Sequence, residues 1–86
     1  MERHVLRVGQ KLDLKTGWLS ASQEFVFAGM PSAETFSIAV HGDYGDSAWG
    51  YNLYFGKTTR EIRMDEKNAF RVVEISPVKI VLEKIA

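Results

Sequence analysis

The sequence predicts an all-β fold: a small antiparallel β-sandwich of about seven short strands. Three observations carry that expectation. Apolar and polar residues alternate at period two in short runs, most clearly where Phe36, Ile38 and Val40 interleave with Thr35, Ser37, Ala39 and His41. Gly, Pro, Asn and Asp punctuate those runs at the roughly 8–12-residue spacing of a sandwich or small barrel. The runs themselves are rich in β-branched and aromatic residues, which fit a pleated surface.

In chain order, Leu6 and Val8 alternate around Arg7, Gly9-Gln10-Lys11 turns, and Leu12 and Leu14 alternate with Asp13 and Lys15. This reads as a first strand pair. Thr16-Gly17 then breaks the chain. From Trp18 to Met30 two readings compete. Ser20 followed by Gln23 makes a capping-box pattern, and Gly29-Met30-Pro31 would stop a helix. Phe25-Val26-Phe27 favours a strand over 24–28, and the strand is preferred.

The run through Phe36, Ile38 and Val40 leads into the stretch 41–54, which holds four of the ten aromatic residues, three glycines and two aspartates. That composition reads as an exposed loop. At its end, Tyr51, Leu53 and Phe55 share one face, with Asn52 and Tyr54 on the other. Gly56-Lys57 turns into a strand over 58–64 that points Ile62 and Met64 inward. Asp65-Glu66-Lys67-Asn68 suits a hairpin connector.

The apolar phase slips between Val72 and Val73, as it does at a β-bulge or where both faces are buried. Ser76-Pro77 splits the last apolar run, because proline has no N–H for a ladder. Val78, Ile80 and Leu82 then alternate with Lys79, Val81 and Glu83. A short helix capped by Ser76, with Pro77 in its first position, is the rival there. The β-branched content favours a strand. The same elements would also suit a five- to six-stranded OB- or SH3-like barrel with one short helix. The expected core is Leu6, Val8, Leu12, Leu14, Phe25, Phe27, Phe36, Ile38, Val40, Leu53, Phe55, Ile62, Met64, Phe70, Val72, Ile75, Val78, Ile80 and Leu82.

At 86 residues the chain is expected to form a single domain over 1–86. With 45% hydrophobic and 26% charged residues it is globular in composition, not disordered. It has no cysteine, which excludes a disulfide framework and thiolate metal sites and fits a reducing compartment. The first residues lack a signal-peptide pattern, and no run reaches the roughly 18 apolar residues of a membrane span. The expectation is a soluble, cytoplasmic protein with no membrane contact.

Eleven basic and eleven acidic side chains cancel, so no net field attracts polyanions. Residues 17–54 contain four acids and no Lys or Arg, which places the aromatic stretch in acidic surroundings. Phosphate binding depends on cationic side chains, so the stretch is a poor nucleic-acid platform. Arg60, Arg63, Lys67 and Arg71 could make a basic surface on the 58–71 hairpin, the alternative reading of a nucleic-acid-binding barrel. Glu61, Asp65, Glu66 and Glu74 interleave with them, and cross-strand charge pairing is the better account. The sequence argues against nucleic acid.

Catalysis is not expected. Ser47 follows His41 by six residues, but no nucleophile elbow surrounds it. His41, Asp43 and Asp46 could ligate zinc or manganese, yet the ligand ladder of a calcium loop is missing and Asp and Gly are what any tight turn recruits. No cofactor and no metal are expected. The better reading is a non-catalytic binding or assembly module. Tyr44, Trp49 and Tyr54 would be its apolar anchors, and Asp43, Asp46 and Asn52 would orient the ligand. A protein partner or a small ligand such as a carbohydrate fits that set. A homodimer paired through a sheet edge at 78–85 is a further expectation.

Overall fold

The computed structural model describes residues 2–14, 21–44 and 47–85, without the side chains of Ala21, Ser22 and Tyr44. Trp18, the 16–17 break and Ser20 of the capping-box pattern lie outside the described residues. Eight strands form among the described residues: β1 (Arg3–Arg7), β2 (Lys11–Leu14), β3 (Ala21–Ser32), β4 (Thr35–Tyr44), β5 (Ser47–Gly56), β6 (Glu61–Arg63), β7 (Ala69–Ile75) and β8 (Lys79–Lys84). They build two four-stranded antiparallel sheets, in the orders β1-β8-β7-β6 and β2-β3-β4-β5. The all-β sandwich stands.

Four expectations need correction. The first concerns β1 and β2, which do not pair with each other: β1 pairs with β8, and β2 with β3. The corner between them switches sheets. The Val8 N–H donates to the carbonyl of Val78 at 3.3 Å, and the next N–H, from Gly9, donates to Phe27 at 2.8 Å. Gly9 takes a φ of 87°, a left-handed conformation that glycine adopts without steric cost. Alternation marks a strand but does not name its partner.

The second correction follows from that corner. Val8 and Val78 are exposed, at 53% and 61%, because they sit past the ends of β1 and β8 instead of in the core. Third, the described residues of the stretch 41–54 are strand, not loop. They form the arms of a long hairpin, with Tyr44 opposite Ser47 as the innermost pair and unbroken register down to Thr35 opposite Gly56. Fourth, the 78–85 run is not an edge, since β8 lies between β1 and β7.

Other readings hold. β8 is a strand, and its entry is fixed by the Ser76 hydroxyl, which accepts from the Val78 and Lys79 N–H groups at 3.4 and 3.2 Å. The phase slip is a register shift between Val72 and Glu74 that leaves Val73 exposed, as a bulge requires. β6 is shorter than the expected 58–64, and β3 longer than 24–28.

The two inner faces meet through Leu6, Ile62, Phe70, Val72, Ile80 and Leu82 on one side and Leu14, Phe25, Phe27, Phe36, Ile38 and Val40 on the other. Phe25 and Phe70 bridge the sheets with ring centroids 5.5 Å apart. Phe70 also meets the edge of His4, and the Lys84 ammonium lies 5.2 Å from its ring centre. The β6–β7 connector beside it is held by Asp65. Its carboxylate accepts from the Lys67 and Asn68 backbone N–H groups at 2.8 and 2.9 Å. The Lys67 N–H, opposed by some desolvation and aided by Asn68, holds the Asp65 carboxyl below its ordinary range.

Phe70→Ala should cost about 3–5 kcal/mol, the range for emptying a buried aromatic site. Val78→Ala should stay within about 0.5 kcal/mol, as an exposed position does. Urea denaturation of both variants checks the pair, and similar losses would contradict this placement of the core.

Candidate functional site

Along β5 the side chains of Trp49, Tyr51, Leu53 and Phe55 lie on the sandwich-facing side, opposite Gly42, Val40, Ile38 and Phe36 of β4. Burial fades along that row. Phe55 and Leu53 pack against the core, and the Phe55 ring stacks on Phe36 at 5.3 Å. Tyr51 and Trp49 remain 46% and 43% exposed. Their rings stack on each other, 5.7 Å apart and only 11° from parallel.

Gly42 explains how Trp49 lies flat. A Cβ at residue 42 would clash with the indole ring of Trp49. Only glycine leaves that space, and the indole in turn buries the glycine backbone. This cross-strand cover of a glycine by an aromatic ring is a known sheet device. It shields the Gly42 backbone within the strand.

The opposite face of the same hairpin carries different chemistry. Asn52 faces Ala39, and Tyr54 faces Ser37. With Ala28, Met30, Pro31 and Ser37 these two line a shallow, open depression of about 290 Å³. Asp43 stands opposite Ala48 on that face. His41, also there, places Nδ1 3.7 Å from Glu24, which lies 3.3 Å from the Lys11 ammonium.

The residues expected to form one site are therefore divided. Trp49 is on the sandwich-facing side, whereas Asp43, Asn52 and Tyr54 are on the reverse. Asp46 lies outside the described residues, and Tyr44 is placed only by its backbone pairing with Ser47. Tyr51 lies on the face expected for it with Leu53 and Phe55, and it stacks on Trp49 although it is not among the expected site residues. Its spacing of two from Trp49 was the available signal, obscured by reading the segment as a loop.

Ser47 and His41 fall on opposite faces of the hairpin, so this pair cannot act as nucleophile and base. Among the described residues no group of three His, Asp or Glu is placed to hold a metal.

Two of the basic hairpin residues, Arg63 and Arg71, are paired. On the outer face of the other sheet, Arg3, Glu83, Arg71 and Glu61 stand side by side across four strands in alternating sign. Arg3 and Arg71 reach Glu83 at 3.0 and 3.1 Å, and Arg63 lies 3.4 Å from Glu61. The Arg3 hydrogen bond, against a desolvation penalty and with the Arg3 and Arg71 charges, holds Glu83 below the ordinary carboxylate range.

Compared with protein-family models, curated proteins and solved structures, the chain has no match.

Gly42→Ala should push the indole off β4 and break the Trp49–Tyr51 stack. The ring is the flexible partner, so the stability change should stay within about 1 kcal/mol. Near-UV circular dichroism should lose aromatic signal while the far-UV spectrum is kept. An unchanged near-UV spectrum would contradict the indole's position.

Proposed function

We propose that the protein is a non-catalytic binding or assembly module whose contact surface is the Trp49–Tyr51 stripe of β5, and that its partner is a protein. The supporting observation is the stacked, half-exposed pair itself, in line with Leu53 and Phe55. Large aromatic side chains that retain exposed area on a rigid strand are the residues from which interface hot spots are built.

A protein fits this surface better than a carbohydrate does. Sugar recognition joins an open ring face to polar groups beside it. Here Trp49 and Tyr51 use one face of each ring on each other, and Asp43 and Asn52 lie across the sheet from them. The nucleic-acid reading is weakened by the pairing of Arg71 with Glu83 and Arg63 with Glu61, which leaves less cationic charge for phosphates. No helix among the described residues is long and apolar enough to cross a membrane. The cysteine-free composition supports the cytoplasm as the compartment.

A double variant, Trp49→Ser with Tyr51→Ser, tests the assignment. It should keep the far-UV spectrum of the parent, because neither ring closes the core. Cross-linking capture from the lysate of the source cells should retain proteins on the parent that the double variant loses. A variant that unfolds, or that captures the same set, contradicts the reading.

A further inference from the structure

The four sheet edges meet solvent differently. β1 carries Arg3 and Arg7, β2 has Lys11 and Asp13 within four residues, and β6 is three residues long with Glu61 and Arg63 around Ile62. Short length and charge are the usual protections of an exposed edge, whose row of open N–H and C=O groups otherwise templates strand addition. β5 has neither protection. It runs for ten residues, Ser-Ala-Trp-Gly-Tyr-Asn-Leu-Tyr-Phe-Gly, with no charged side chain and no proline, and it pairs with β4 without a register shift.

We propose that β5 pairs antiparallel with β5 of a second copy of this chain, joining two four-stranded sheets into one sheet of eight. The proposal rests on the stripe being an interaction surface and names its partner.

Symmetry and charge select a second copy. A two-fold axis normal to the sheet places residues opposite one another so that each pair shares a face. The row Trp49, Tyr51, Leu53 and Phe55 then meets the same face of the partner strand, and Asn52 and Tyr54 meet the opposite face of it. Centred on Tyr51, the pairing sets Tyr51 against its own copy, Trp49 against Leu53, Gly50 against Asn52 and Ala48 against Tyr54. No like charges face each other, because the strand has none. The same operation on β1 would set Arg3 against Arg7. At about 3.4 Å per residue the shared edge is roughly 34 Å long. That matches the longest dimension of the molecule, 38 Å. The exposed rings of Trp49 and Tyr51 would lie beside the join, where the partner's row covers them.

Sedimentation equilibrium of the full chain from micromolar to millimolar concentration tests this. The mass should rise from 9.7 kDa toward twice that value. Tyr51→Lys should weaken the association at least about tenfold by placing like charges at the join. Val5→Lys, on the exposed outer side of edge β1, should leave it unchanged. Asn52→Lys, at an exposed position of β5, repeats the test if Tyr51→Lys does not fold.

A mass of 9.7 kDa at every concentration overturns the proposal. So does a dimer that survives both β5 lysines, or one broken only by Val5→Lys. A monomer whose Trp49→Ser, Tyr51→Ser variant still loses a foreign partner overturns self-pairing alone and leaves the interaction surface standing.

Discussion

The structure depends on an unequal match between its two sheets. β3, β4 and β5 run for 12, 10 and 10 residues, whereas β1, β8, β7 and β6 run for 5, 6, 7 and 3. A short sheet cannot cover a long one. The bridge from Phe25 to Phe70 marks where cover is complete, and Phe25, Phe27, Phe36, Ile38 and Val40 of β3 and β4 are fully buried. Along β5 the cover runs out. Leu53 and Phe55 keep part of it, and Tyr51 and Trp49 are left half in water. Burying apolar surface is worth about 25 cal/mol per Å², so uncovered rings of this size leave a driving force for association that the fold itself does not use.

Two local devices make that arrangement tolerable. The rings of Trp49 and Tyr51 hide part of their area against each other, and the indole lies down on Gly42. Glycine would normally weaken a strand by its backbone entropy. The aromatic cover offsets this, and register is kept through the whole hairpin. The charged residues are used elsewhere, in the row Arg3–Glu83–Arg71–Glu61 on the outer face of the shorter sheet. The molecule thus has one face organised by ion pairs and one edge with no charge at all.

Much of the fold is legible from local pattern. Phe36, Ile38 and Val40 announce β4, the slip at Val72–Val73 announces the bulge in β7, and Ser76-Pro77 announces the turn into β8. What local pattern lacks is the identity of the neighbour. Arg3 meets Glu83 across 80 positions, and nothing near Arg3 says that β1 pairs there and not with β2. The stretch 41–54 fails for the same reason. Its glycines mark a loop unless an aromatic ring on the facing strand covers them, and that ring, Trp49, becomes a neighbour of Gly42 only once the hairpin forms. The alternation does show Tyr51, Leu53 and Phe55 on one face and Asn52 and Tyr54 on the other, but a loop reading gives Trp49 no face. Trp49 was therefore grouped with Asn52 and Tyr54, although the pleat puts it with Tyr51.

The exposure of Trp49 in the single copy is the point on which the account turns. A Trp18→Phe variant leaves Trp49 as the only tryptophan of the chain. Acrylamide quenching of its emission, measured at a dilution where copies do not meet, reads that exposure directly. Emission should be red-shifted, and acrylamide should quench it readily. A blue-shifted, protected tryptophan at the same dilution would mean that Trp49 closes the core, and would contradict that exposure.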